Sequence, residues 1–387
     1  MSWKLKFVRQ LRTEWPQSDY KIVILCHQEC SIKGCIFDGF FMKKIILGKF
    51  YFCIFIGGIL LLFAGSCKQK TESAGDTPAD IYDSTTSDET LQQLNDRIMK
   101  NPKDASAYFA RGQVFSAKNI LQQAFVDVSK ATIIDSTRPE YFLLLADICF
   151  RGLQIQKAVQ AFEKCLQLEP ENIEANLKLS ELYMYIKVYP KAIDYANTVL
   201  RINKNNQKAY FIKGFVYKES GDTSRAISSF TTVVELDPEN YDAYIQLGIL
   251  HAAKGNDLAI QYYSNALRIR PSSEEALYNR GLYYQESGLL EKAEEDYKLI
   301  LSKNSAYTNA YYNLGFIALV NKKDYPEAIR QFSKAIEIDQ NYVEAFYNRG
   351  VAYQYSGNKK SAEKDFRSAL SIFPNYSLAK DRLNELN

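Results

Sequence analysis

Three asparagines in closely similar pentapeptides carry the side chains of this 387-residue chain that are best suited to binding chemistry. They are Asn279 in LYNRG, Asn313 in YYNLG and Asn348 in FYNRG. An asparagine amide offers two donors and an acceptor oxygen, which match the polar groups of an extended peptide backbone. The spacing predicts a ladder of amides that holds a backbone without demanding a particular sequence.

An apolar residue follows three positions after each of these asparagines. On a helix this spacing brings the two side chains to the same face. The sequence therefore predicts apolar pockets beside the amides, formed by Leu282, Phe316 and Val351.

No pattern typical of catalysis or of metal or cofactor binding occurs in the sequence. It lacks a glycine-rich phosphate loop, a Cys or His pair at metal-ligand spacing and a nucleophile elbow. Of its two histidines, His251 is predicted to be a packed, hydrogen-bonded core residue rather than a base. We expect no catalytic residue, no metal, no cofactor and no enzyme activity.

Charge and cysteine usage narrow the classes of partner. The net charge is +3, but residues 1–66 hold nine basic and four acidic residues, which leaves 39 basic and 41 acidic residues in the rest. This balance gives no support to nucleic-acid binding. Five of the seven cysteines lie in the first 67 residues. Cys149 and Cys165 are predicted to be small buried hydrophobic residues rather than a disulfide.

A repeat of about 34 residues organises the remainder, with units that start at 105, 139, 173, 207, 241, 274, 308 and 343. The fifth unit is one residue short and the seventh one residue long. Position 8 is always small, and an alanine stands at or beside position 20, which lets two helices of a hairpin approach closely. The small residues are Gly112, Ala146, Ser180, Gly214, Gly248, Gly281, Gly315 and Gly350, and the alanines are Ala124, Ala158, Ala192, Ala226, Ala259, Ala293, Ala328 and Ala362.

This pattern, with a proline closing four of the units, resembles the tetratricopeptide repeat (TPR) family. The resemblance implies an all-α fold, a right-handed α-solenoid of eight TPR helix-turn-helix repeats over residues 105–376. Capping helices are expected at 89–104 and 377–387, because terminal repeats need a polar outer face. The resemblance also implies that position 6, which holds the three asparagines, lies on a concave wall. The alternative interpretation is that asparagine is merely common at this position.

Residues 42–66 have the three parts of a secretory signal, namely basic residues after Met42, an apolar run from Phe50 to Ala64, and small residues before Cys67. This arrangement resembles the lipobox of bacterial lipoproteins, although Ala64 stands where that family usually has leucine. The resemblance implies cleavage after Ser66 and a diacylglycerol on the Cys67 thiol. An uncleaved membrane anchor and plain secretion are the alternatives.

The segments on either side of this signal carry no repeat. Residues 1–41 lie upstream of a complete signal and are predicted to be an untranslated extension, with synthesis starting at Met42. Residues 67–88 are rich in Ser, Thr, Asp and Gly, which predicts a disordered tether.

Together these features predict a lipid-anchored scaffold or adaptor that binds protein partners or extended peptides at a Gram-negative cell envelope. By resemblance to enteric lipoproteins, Lys68 after the cysteine favours the outer membrane. A purely structural subunit of an outer-membrane, secretion or pilus assembly is the alternative.

Overall fold

The computed structural model describes residues 84–386 of the chain, with side chains from Thr90 onward. Residues 1–41, the predicted signal at 42–66, Cys67 and the first part of the tether therefore lie outside the described residues. Between residues 84 and 386 the chain forms eighteen α-helices and one π-helical segment, without a β-strand.

Every repeat consists of a first and a second helix joined by a short turn. The helices are α1 Ser84–Lys100, α2 Ala105–Ala117, α3 Leu121–Ile134, α4 Pro139–Arg151, α5 Ile155–Leu168, α6 Ile173–Tyr185, α7 Tyr189–Ile202, α8 Gln207–Glu219, α9 Thr223–Leu236, α10 Tyr241–Ala253, α11 Leu258–Ile269, α12 Glu274–Glu286, α13 Leu290–Lys303, α14 Thr308–Phe316, α15 Tyr325–Ile338, α16 Val343–Tyr355, α17 Lys359–Ile372 and α18 Ser377–Leu386.

Each helix packs against the next one along the chain. The second helix of a repeat therefore lies between the first helix of its own repeat and the first helix of the following repeat. Repeats 1 to 8 are the consecutive pairs α2–α3 to α16–α17, with α1 and α18 at the two ends. This arrangement confirms the predicted all-α solenoid. A correction applies to α1, which begins at Ser84 rather than at residue 89. Residues 84–88 belong to this helix because the STTSD sequence contains neither proline nor glycine to stop it.

The turn inside every repeat contains one residue in the left-handed conformation. Gly357 has a φ of 84° and Asn119 has a φ of 58°, and glycine and asparagine adopt this conformation more readily than other residues do. Repeats 2 and 3 place Leu153 and Lys187 at the same position, with φ of 57° and 61°. A side chain there strains the backbone, whereas glycine does not.

The small residue at position 8 receives a large side chain from the second helix. A Cβ added to Gly281 would lie 2.8 Å from Tyr297 Cε1, and one added to Gly350 would lie 2.7 Å from Phe366 Cε1. Tyr297 and Phe366 are fully buried. The glycines are therefore required for close approach of the two helices.

The extra residue of repeat 7 is accommodated by a change of helix type. The first helix of that repeat passes from α14 into a π-helical segment, Ile317–Lys322, which ends at the left-handed Lys323. A π-helical turn contains one more residue than an α-helical turn. The insertion therefore stays local, and α15 packs in the same way as other second helices.

Candidate peptide-binding groove

First helices form the inner face of the stack. First helices contact one another between three pairs of successive repeats, as α2 does α4, α6 does α8 and α10 does α12, whereas successive second helices of the described residues contact each other less. This difference indicates that the stack curves towards its first helices at these three places. Position 6, with the three asparagines, belongs to this set of helices.

A column of tyrosines runs through repeats 6 to 8. Tyr278, Tyr312 and Tyr347 occupy position 5 of the three first helices, next to the asparagines. Each ring packs on a tyrosine that immediately precedes the next first helix. The ring centroids are 5.7 Å apart for Tyr278 and Tyr307, 5.0 Å for Tyr312 and Tyr342, and 5.4 Å for Tyr347 and Tyr376. These contacts join consecutive repeats through aromatic rings.

The tyrosines that precede the first helices of repeats 7 and 8 stand where earlier repeats have a capping side chain. Asn172, Asn206 and Asn240 precede the first helices of repeats 3 to 5, and each side chain accepts a hydrogen bond from the first turn. Tyr307 and Tyr342 stand at the same place and form no side-chain cap. Repeats 7 and 8 therefore have ring packing where the earlier repeats have a capping bond.

The tyrosine column engages two of the three predicted amides. Asn348 donates from Nδ2 to the Tyr312 hydroxyl at 2.9 Å and is half-buried. Asn313 is only 6 % exposed. Burial raises the pKa of the Tyr278 and Tyr297 hydroxyls, and the nearby Asn313 amide offsets a part of this rise. The Asn313 Nδ2 atom nevertheless has no acceptor at hydrogen-bonding geometry.

The surroundings of Asn279 differ from those of the other two asparagines, because position 5 of the preceding repeat is Ile245, where the later repeats have tyrosine. No described group is hydrogen-bonded to the half-buried Asn279 amide, whereas burial raises the pKa of the neighbouring Tyr278 and keeps its hydroxyl neutral. Both the donors and the acceptor of Asn279 are thus available to a ligand.

The predicted pocket residues at position 9 have unequal exposure. Leu282 and Phe316 are half-buried, and the Phe316 ring lies 6.5 Å from that of Tyr312. Val351 is buried and packs in the core cluster with Ala352 and Phe366. Leu282 and Phe316 therefore have more surface to offer a ligand than Val351. The peptide-binding role of all six residues stays a prediction.

Comparisons with known proteins agree with this architecture. Family models described as TPR repeat or tetratricopeptide repeat match residues 139–172, 216–274, 255–310, 317–357 and 343–376. The chain contains tetratricopeptide repeats.

Among curated relatives, human Tetratricopeptide repeat protein 6 is 27% identical over 201 residues, which are 51% of this chain and 38% of that protein. BBSome complex member BBS4 of Bos taurus is 24% identical over 218 residues, which are 56% of this chain and 42% of that protein. This chain thus spans less than half the length of either relative.

Among solved structures, the C-terminal part of a TPR repeat-containing protein from Cytophaga hutchinsonii superposes with a TM-score of 0.56 at 21% identity. The match covers 64% of this chain and 99% of that one. At this identity the likeness concerns the fold.

Three of the tetratricopeptide repeats contain an ion pair, between a half-buried arginine and a buried aspartate, that sequence reasoning missed. Arg280 at position 7 donates from Nε and Nη2 to both oxygens of Asp296, at 2.9 Å and 2.7 Å. Its Nη1 donates to Ser264 Oγ of the preceding repeat at 2.9 Å. The corresponding contacts join Arg111 to Asp127 and Asn95, and Arg349 to Asp365 and Ser333.

Each pair ties three helices together, and two of the three pairs lie beside the candidate site. Arg280 and Arg349 directly follow Asn279 and Asn348, so each pair fixes the backbone next to a predicted amide. The recurrent arginine before the position-8 glycine, with an aspartate sixteen residues later, is the signal from which the pairs were predictable.

The prediction for His251 was right about packing and wrong about hydrogen bonding. The imidazole is buried, and its ring lies 5.1 Å from that of Tyr262. Neither ring nitrogen has a hydrogen-bond partner among the described residues. Burial, followed by the nearby Lys254 charge, lowers the pKa of this histidine, which favours the neutral form.

Both described cysteines, Cys149 and Cys165, are buried free thiols, as predicted. Burial raises the pKa of Cys165 to about 11. Within residues 84–386, no group of three or more His, Cys, Asp or Glu side chains is arranged to hold a metal ion. No helix in the same range is long and apolar enough to span a membrane.

Proposed function

We propose that this chain is an adaptor that holds an extended segment of a partner protein along the first helices of repeats 6 to 8. Tetratricopeptide repeats support a protein-interaction scaffold. The observation that carries the groove is the Asn279 amide, which is half-buried on a first helix, without a hydrogen-bond partner among the described residues, beside the half-buried Tyr278. A peptide backbone satisfies both its donors and its acceptor.

The three amides have different tasks in this proposal. Asn279 binds the ligand with its whole amide, and Leu282 offers an apolar contact one helical turn away. Asn348 already donates to Tyr312, so its Oδ1 is the atom left for a backbone N–H of the ligand. Asn313 is buried beside the tyrosine column and has little surface to offer the ligand.

The first test is to identify the ligand. A photoreactive residue at position 282 of the full chain, in native envelopes, marks the partner segment, whose synthetic peptide then serves as the titrant. Asn279→Ala should weaken peptide binding by about tenfold, which corresponds to one or two lost hydrogen bonds. The matched control is Asn205→Ala, at an exposed asparagine in the connection before α8, which should leave the affinity unchanged.

The alternatives have distinct outcomes in the same experiment. Equal affinity of the wild type and Asn279→Ala would favour a purely structural subunit, which uses the edge of the solenoid rather than the groove.

We propose no catalytic role, since no constellation of catalytic side chains is evident in the sequence. A hydrolase or transferase activity of the purified chain that survives further purification would contradict that proposal.

We further propose that the chain is held at a bacterial envelope, at the outer membrane, by a diacylglycerol on Cys67. The support is the run of basic, apolar and small residues that ends at this cysteine. Metabolic labelling with radioactive palmitate should mark the wild type and leave Cys67→Ser unmarked. Equal labelling of the two chains would sink the lipid anchor.

A further inference from the structure

The turns of repeats 1 to 3 differ in charge from most of the later turns. Residues 116–123, 150–157 and 184–191 contain five cations and no carboxylate, whereas the corresponding turns of repeats 4 to 7 each contain Asp or Glu. Repeat 8 also lacks a carboxylate, but it has the polar Ser356 and Asn358 beside its turn glycine. The five cations are Lys118, Arg151, Lys157, Lys187 and Lys191.

Large apolar side chains are exposed among these cations. Leu153 is 83% exposed and Tyr185 is 70% exposed, and smaller fractions of Ile120, Ile186 and Val188 also face solvent. We call these five apolar residues and the five cations the basic turn edge. An exposed apolar patch of this kind, rimmed by charge, is typical of an interaction surface.

Contacts of two kinds relate the three turns of the basic turn edge. Arg151 of repeat 2 donates from Nη1 to Ser116 Oγ at 2.8 Å and from Nη2 to Asn119 Oδ1 at 2.9 Å, which joins the turns of repeats 1 and 2. Phe150 of repeat 2 and Met184 of repeat 3 pack on the same buried cluster, which lies beneath the second and third turns.

Stability does not explain the residues of this edge. Leu153 and Lys187 take the left-handed conformation that glycine takes in repeats 4, 5, 6 and 8. An exposed leucine in that conformation gains little from burial and strains the backbone.

We infer that the basic turn edge rests on the surface of an anionic lipid bilayer. Apolar side chains at the centre, a tyrosine and surrounding cations match the boundary between acyl chains and anionic headgroups. The apolar run that ends at Ala64 is separated from α1 by residues 65–83 only. Those nineteen residues reach at most ~65 Å, so repeats 1 to 3 are the repeats nearest to that run along the chain.

The inference rests on the membrane attachment proposed above and is independent of the groove in repeats 6 to 8. Its test places a photoreactive phenylalanine analogue at position 185 of the full-length chain. The chain is reconstituted in vesicles of phosphatidylethanolamine and phosphatidylglycerol. The matched control position is 355, because Tyr355 is the same residue type at the same repeat position and is 55% exposed.

We expect phospholipid adducts at position 185 and none at position 355. In the chain with the probe at position 185, Lys187→Glu should reduce the lipid adduct about thirtyfold, because the reversal replaces one attraction to the anionic surface by one repulsion. Adducts with a second copy of the chain or with its own residues, or equal lipid labelling at 185 and 355, would overturn the inference. If vesicle-bound chains label lipid at neither position, the inference about the basic turn edge is refuted and the membrane attachment is not. If the chains do not stay on the vesicles, both are refuted.

Discussion

Repeats 2 and 3 build the same helix pairs as repeats 6 and 8 from different side chains. At positions 7 and 23, repeats 6 and 8 have a half-buried arginine and a buried aspartate, whereas repeat 2 has Leu145 and Ala161 and repeat 3 has Leu179 and Tyr195. At position 8, repeats 6 and 8 have glycine, whereas repeat 2 has Ala146 and repeat 3 has Ser180, whose hydroxyl donates to the Ala192 carbonyl at 2.7 Å.

This difference shows that the ion pairs are not a condition for forming the fold. Apolar side chains at the same positions give a packed repeat, with Leu179 and Ala192 fully buried. A buried ion pair seldom stabilises a protein more than apolar residues of similar volume do, although it fixes geometry. In repeats 6 and 8 the fixed geometry lies beside Asn279 and Asn348, which is where a binding site requires it.

The largest effect is expected from breaking one ion pair in repeat 6. Asp296→Ala leaves the half-buried guanidinium of Arg280 without its carboxylate, which should cost about 3 kcal/mol of unfolding free energy. Native-state hydrogen exchange of the α12 and α13 amides measures this loss repeat by repeat.

The control gives repeat 6 the chemistry of repeat 2. The double variant Arg280→Leu, Asp296→Ala removes both charges and should recover the stability to within about 1 kcal/mol of wild type. If the double variant is as unstable as the single one, the two regions are not interchangeable and the pair has a direct role in stability.

A smaller effect is expected at the contact between the first and second helices. Gly281→Ala places a Cβ 2.8 Å from Cε1 of the fully buried Tyr297, whose hydroxyl is held by Gln285 at 3.0 Å. Overpacking of this kind should cost about 1–3 kcal/mol, as measured by urea unfolding. The same method applied to Ala146→Gly should show a loss of about 1 kcal/mol from helix propensity alone. Gly281→Ala with wild-type stability would show that Tyr297 has room to move.

Features that depend on one stretch of chain could be predicted from the sequence, and features that join two stretches mostly could not. The helix pairs and the left-handed Gly357 follow from local residue types. Arg280 and Asp296 each resemble a surface charge when taken alone, and only the recurrence of the same spacing in three repeats indicates that they pair. Tyr307 breaks the capping pattern, and nothing near it in sequence indicates that its partner is Tyr278.

His251 shows a different limit of sequence reasoning. The general tendency of buried polar groups to form hydrogen bonds led to the prediction of a partner. The groups around position 11 of repeat 5 come from neighbouring helices, and they supply the ring of Tyr262 rather than an acceptor. Side-chain environments of this kind are set by the packing of several repeats, which the local pattern does not encode.

The smallest effect concerns the turns, where repeat 2 has Leu153 and repeat 6 has Gly288 at the same left-handed position. Leu153→Gly should stabilise the array by about 1 kcal/mol, and Gly288→Leu should destabilise it by a similar amount, because only glycine adopts this conformation without strain. Urea unfolding of the two variants measures both changes. If Leu153→Gly gains stability and loses lipid labelling at position 185, the leucine contributes to contact with the bilayer and not to the stability of the fold. A loss of stability would instead mean that Leu153 packs usefully in repeat 2, and the comparison of the two turns would fail.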